Sequence, residues 1–260
     1  VVLLHVYQPP IVPAESSLAV GNVMYYDRQQ ITEALEGIAA DMLVPTVVEV
    51  VDGTFGDALA AAVARYQPLL LVLGLTSTER YFDALLANRA LPLLRHSPYP
   101  ALLVPETAAL LPPRRVVVGI DGEPFAVPTA AAGILRELLS TWQAAPTLAY
   151  TTTPESSLSR NEVLRSVQRS GLLPGEAEID FCQPLAPTPE DGLLSSATAR
   201  GANLLVLLAR RRSFLGQLFH RSVTARVLRR ATLPVLLLPV AEPVTVATPP
   251  AEAPATTATA

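Results

Sequence analysis

Short apolar runs alternate with stretches of helical period along most of the chain, and the alternation is cleanest in the second half. RRVVVGIDG (Arg114 to Gly122) predicts a strand and a turn, and Pro128 to Ala144 a helix that ends before Pro146. TLAYTTT (Thr147 to Thr153) is a short strand, followed by a helix opened by a Ser159/Glu162 capping box and closed by Gly171. AEIDFCQPL is the next strand. Thr188, Pro189 and Asp191 supply an N-cap, an N1 proline and a capping acid for a helix closed by Gly201. NLLVLL (Asn203 to Leu208) is a fourth strand. A helix from about Phe214 to Arg230 places Leu215, Leu218, Phe219, Ser222, Val223 and Val227 on one face, and LPVLLLPV is the last strand.

Strands alternating with helices imply a parallel sheet covered on both faces. Five strands suit a flavodoxin-like, doubly wound order whose ligand crevice lies where the strand order reverses. The strand ends at that crevice are Gly119-Ile120-Asp121 and Leu208-Ala209-Arg210.

The first half repeats this order with its opening missing. VVLLHVY corresponds to the second strand, Arg28 to Met42 to a helix, and VPTVVEVVDG to the third strand. A helix capped by Thr54 and Asp57 ends near Gln67; LLLVLG, a helix over Tyr81 to Arg95 and PALLVP complete the series. A shift of 134 residues, the separation of Pro105 and Pro239, lays Leu70–Leu73 on Leu204–Leu207, Leu94-Arg95 on Leu228-Arg229 and Pro100 on Pro234 without a gap. Matching prolines and a matching Leu-Arg pair argue for tandem duplication beyond leucine-rich strands matching by composition. The expected organisation is a first unit over 1–111 that lacks its opening β-α unit, a complete unit over 112–240, and a disordered Pro/Ala/Thr-rich tail over 241–260. The opening VVLLHVY reads as a strand in mid-fold, which points to a fragment of a longer tandem protein or a late start.

Composition narrows the chemistry. The chain is 50% hydrophobic and 16% charged, with a mean hydropathy of +0.36. No apolar run reaches the roughly 18 residues of a membrane helix, so strands buried on both faces account for the hydropathy. The net charge of −4 argues against general nucleic-acid binding. All 19 basic residues are arginine, which removes any phosphate-loop or Schiff-base lysine. The single Cys182 packs as a small apolar residue and fits a reducing cytoplasm. His5, His96 and His220 share no metal-ligand spacing, and no G-x-S-x-G elbow surrounds Ser222.

The sequence VVVGIDG…LLVLLARRRSFLGQLFHRSVTARVLRRATLPVLLLP resembles the universal stress protein family in a tandem two-domain form, over nearly the whole chain up to Val240. The resemblance implies cytoplasmic proteins that pair through their last strands, here as intramolecular domain pairing or as a homodimer, with no established enzymatic chemistry. One branch binds ATP through G-x2-G-x9-G-[ST]; another lacks the motif and does not. In the second unit the spacing survives as Leu208-x2-Arg211-x9-Arg221-Ser222, followed by Val223, with every motif glycine replaced. In the first unit it survives as Gly74-x2-Ser77-x9-Ala87-Asn88, with one glycine kept. The first-strand aspartate, which the resemblance places on the nucleotide's adenine and ribose side, is Asp121.

Motif glycines let backbone amides reach phosphates, and a β-carbon at each position pushes the ligand away. Loss of the glycines therefore predicts a non-enzymatic module with no cofactor and ATP disfavoured. The alternative is a nucleotide- or anion-binding regulator in which Arg210, Arg211, Arg212 and Arg221 hold an anion through their side chains. Asp121 is equally readable as a ligand contact or as turn chemistry at a strand end. Ser77 and Thr78 read as caps of the following helix.

Overall fold

The computed structural model describes residues 1–7, 27–75, 99–109, 111–173, 179–210 and 222–241. Among them lie nine strands: β1 (Val2–Tyr7), β2 (Val47–Asp52), β3 (Leu71–Leu75), β4 (Ala101–Pro105), β5 (Arg115–Ile120), β6 (Ala145–Tyr150), β7 (Asp180–Cys182), β8 (Leu204–Arg210) and β9 (Val235–Val240). Six helices accompany them: α1 (Arg28–Asp41), α2 (Phe55–Tyr66), α3 (Thr129–Thr141), α4 (Arg160–Ser170), α5 (Pro189–Ala199) and α6 (Val223–Arg230). No described helix is long and apolar enough to cross a membrane. The helix expected over Tyr81 to Arg95 and the tail beyond Ala241 lie outside the described residues.

The helix ends follow the local signals. Ser159 accepts from the Glu162 amide while the Glu162 carboxylate accepts from the Ser159 amide, and Gly171 caps the far end. Thr54 and Thr188 cap α2 and α5 by accepting from the Asp57 and Asp191 amides, and Asp27 forms a capping box with Gln30. Each such cap satisfies amides that the first helical turn leaves without a partner.

Strand β6 begins at Ala145, two residues before the expected start, and includes Pro146. Ala145 and Thr147 turn toward β5, so the missing Pro146 N–H falls on the β7 side, and β7 reaches only as far back as Thr147. Helix α6 begins at Val223, because Ser222 is extended (ψ 146°) and acts as its N-cap. The expected continuous helix from Phe214 through Ser222 is thereby corrected; residues 214–221 lie outside the described set.

The strands form two sheets. β1 and β2 pair in parallel as a two-stranded sheet, and the other seven run in the order β3-β4-β9-β8-β5-β6-β7. Within β9-β8-β5-β6-β7 every neighbour is parallel. β3 and β4 are parallel to each other and join β9 through an antiparallel β4–β9 pair, Leu102 opposite Leu236. The two halves thus share one sheet, while β1 and β2 stand apart from it.

Side chains alternate across the sheet, so each strand feeds two cores. Val116, Val118 and Ile120 of β5 pack with Ala131, Leu135 and Leu139 of α3 and Val163 and Val167 of α4. Val117 points the other way, toward Leu59 of α2, Leu193 of α5 and Ala225, Val227 and Leu228 of α6. A backbone packed this tightly leaves no room at Gly192. A β-carbon there would lie 2.3 Å from the Thr151 side chain, which is 6% exposed. Across the helix pair, Glu190 and Asp191 at the start of α5 meet Arg226 (2.5 Å) and Arg230 (2.6 Å) of α6.

Register carries one row across all seven strands: Val72, Leu102, Leu236, Val206, Val118, Leu148 and Phe181. Leu236, Val206, Val118 and Leu148 are fully buried, whereas Val72 at the β3 end is 62% exposed.

Candidate functional site

Strand β5 is followed through α3 by β6 on one side, while β8 lies on its other side, so the strand order reverses between β5 and β8. The crevice of a doubly wound sheet opens at such a point, beyond the carboxyl ends of the strands. Asp121 leaves the end of β5 here, and Arg210 is the last residue of β8.

Arg210 lies across that opening. Its Nε donates to Asp121 Oδ2 at 2.6 Å and its Nη2 to Asp121 Oδ1 at 2.9 Å, a two-pronged fork on the carboxylate. Nη2 also donates to the Glu123 carbonyl at 3.0 Å and Nη1 to the Pro124 carbonyl at 3.1 Å. The Arg210 side chain is 8% exposed and that of Asp121 40%. A guanidinium this deeply buried is tolerable because charge and donors are both matched.

The loop after β5 completes the closure. Asp121 Oδ1 accepts from the Glu123 amide at 3.1 Å, and Gly122 adopts φ 79° in the turn. A β-carbon at Gly122 would meet Leu158 at 2.8 Å and the Tyr150 ring at 2.9 Å, so both backbone conformation and space demand glycine. Tyr150 is itself held by Ser156 (2.9 Å) and the Leu158 amide (3.2 Å). Further on, Ala126 and Ala241 exchange a pair of backbone hydrogen bonds at 2.9 Å. Because β8 lies between β5 and β9, a loop that starts at β5 and pairs with the end of β9 must cross the end of β8. Phe125 and Val127 turn inward from this crossing into the core.

Four other motif positions are described: Leu208, Ser222, Val223 and Gly74. Leu208 is buried in the core over the α3–α4 face and sits opposite Leu238. Ser222 Oγ accepts from the Ala225 amide at 3.2 Å as the α6 cap, and Val223 packs against the second core. Gly74 lies in β3 with open space where a β-carbon would project, so crowding there does not demand glycine. Arg211, Arg221, Ser77 and Asn88 fall outside the described residues, as do Thr78, Arg212, His96 and His220. Among the described residues no group of three metal-ligating side chains comes together.

Sequence reasoning placed Arg210 at the crevice end of its strand and in an arginine cluster, reading the strand itself as Asn203 to Leu208 and leaving Arg210 unpaired with Asp121. The strand runs two residues further, with Arg210 opposite Val240. The signal was period two: Leu204, Val206 and Leu208 face one core, and Arg210 continues the same parity.

Two carboxylates elsewhere are held ionised. Glu162 is pushed below its ordinary range by the Ser159 hydroxyl first and the Ser159 amide second, and Asp191 by the Thr188 hydroxyl and then Arg230. Both belong to helix caps.

Residues 184–239 match the model of the universal stress protein family. This segment holds α5, β8, α6 and β9, so Arg210 and Ser222 lie inside it and Asp121 outside. A functionally unknown protein from Pseudomonas aeruginosa PAO1 shares the fold at 16% identity and a TM-score of 0.58, with 92% of each chain covered. A universal stress protein from Archaeoglobus fulgidus DSM 4304 does so at 15% identity and a TM-score of 0.52, covering 83% of this chain and 80% of that one. No curated protein matches the chain. The mixed α/β architecture is thus common to all three.

Proposed function

We propose that the protein is a non-enzymatic universal-stress-type module that acts in stress response through protein contacts and holds no ATP. One observation carries this reading: both oxygens of Asp121 accept from Arg210. The residues present do not fit an adenine nucleotide at the switch point. The carboxylate that would meet a ribose or an adenine is already engaged, and the loop over residues 121–126 is tied down across the strand ends. Leu208, at a motif glycine position, directs its side chain into the core.

Calorimetry at millimolar ATP tests the reading. No saturable heat is expected from the unmodified protein, and a stoichiometric isotherm overturns the proposal. Inorganic phosphate supplies a second arm. A phosphate-dependent rise in melting temperature that disappears in an Arg211→Ala, Arg221→Ala double variant would replace this reading with an anion-binding regulator.

A further inference from the structure

Glu190, in the first turn of α5, is 6% exposed in its side chain. Its Oε1 lies 2.5 Å from Arg226 Nε of α6, whose side chain is 37% exposed. Its Oε2 is buried and accepts no hydrogen bond. A carboxylate taken out of water costs more than one ion contact returns unless its second oxygen is satisfied too. The pair therefore does not hold α5 and α6 together as an apolar contact of the same volume would.

The chain contains a second helix start of the same build without this pair. α2 begins at Phe55 and α5 at Pro189, 134 residues later. Thr54 and Thr188 are their N-caps, and each hydroxyl also donates to the carboxylate three residues on, Asp57 or Asp191. Leu59 and Leu193, again 134 apart, are buried in one core together with Val227 and Leu228 of α6. Between cap and leucine the two helices part: α2 has Gly56 where α5 has Glu190.

The same shift sets residues 89–96 against α6. Leu91, Leu93 and Leu94 stand where α6 buries Ala225, Val227 and Leu228. Apolar patterning thus gives α5 no means of telling the two stretches apart. Pro92 stands where α6 carries Arg226, so of the two only α6 brings a cation to Glu190.

We propose that the Glu190–Arg226 pair is a matching code between helices, which admits α6 to the start of α5 and rejects residues 89–96 there, at a net cost in stability. With Arg226 beside it, the buried carboxylate has a counter-charge; with proline in that place it has neither charge nor donor. Elements this alike can exchange places as a chain folds, and a stranded carboxylate disfavours the exchanged packing. Asp57 and Asp191 cannot make the distinction, because both helices carry the same cap.

The test uses the full chain, refolded from urea. Arg226→Met leaves Glu190 buried without its cation and should lower the urea midpoint by roughly 1 M. Glu190→Leu combined with Arg226→Met removes both charges and should return the midpoint to that of the unmodified protein or above it. Hydrogen exchange followed by mass spectrometry then reads the docking. After refolding, peptides over Pro189–Ala199 and Val223–Arg230 should give one mass envelope in the unmodified protein and two in the double variant. The second envelope should be at least about ten-fold more populated than any second envelope of the unmodified protein. An unchanged midpoint in Arg226→Met overturns the proposal, because Glu190 then needs no cation. A double variant whose midpoint stays below that of the unmodified protein overturns it too, because the pair then holds the fold together. So does a double variant that regains its midpoint with a single envelope, because α6 then finds α5 without the pair.

Discussion

A double-mutant cycle on Arg210 and Asp121 measures how far the two strand ends are locked together. Arg210→Met keeps most of the aliphatic stem and removes a guanidinium that makes four hydrogen bonds, two of them to a carboxylate. Asp121 retains 40% exposure, so water can solvate the carboxylate left behind. The expected cost is about 2–3 kcal/mol, below the range for stranding a fully buried charge. Asp121→Ala leaves the opposite residue, a guanidinium only 8% exposed that keeps the Glu123 and Pro124 carbonyls as hydrogen-bond partners and the half-exposed Glu123 carboxylate at 3.8 Å. Its expected cost is higher, about 3–4 kcal/mol. Once Arg210 is gone the carboxylate has lost its charged partner and keeps the Glu123 amide, so the double variant should cost little more than Arg210→Met alone. The coupling is then a little below the cost of Asp121→Ala alone, about 3 kcal/mol. Urea denaturation of the four proteins, followed by far-ultraviolet circular dichroism, gives these values from midpoints and slopes. Additivity within about 0.5 kcal/mol would refute the reasoning, because two groups that fork onto each other cannot act independently.

Two further outcomes follow from particular contacts. Gly192→Ala drives a β-carbon to 2.3 Å from Thr151 beneath α5, and should destabilise by about 1–3 kcal/mol in the same denaturation assay; Thr151→Ala in the same chain should recover part of the loss. The depressed acids Glu162 and Asp191 give stability that is fully present above the ordinary carboxylate pKa of roughly 4 and is lost as pH falls through their lower folded values. Acid titration of the unfolding midpoint should show that fall, and a Glu162→Gln, Asp191→Asn double variant should flatten part of it.

The local grammar of this chain was legible residue by residue. The Ser159/Glu162 box, the Thr188-Pro189 start, the Gly171 end and the alternation of strands with helices each depend on neighbours within a turn or two.

What escaped the sequence was long-range pairing. Asp121 and Arg210 are 89 residues apart, and no spacing rule selects one arginine from Arg210-Arg211-Arg212. Strand length decides it: β8 extends two residues past Leu208, so Arg210 keeps the inward parity beside β5. The antiparallel joining of β4 to β9, and the separation of β1 and β2 from the seven-stranded sheet, are likewise tertiary facts. Apolar patterning tells each strand which faces to bury, because burial depends on the side chain it carries. It does not tell a strand which edge to pair, because backbone donors and acceptors are the same on every strand and only the assembled sheet decides which of them meet.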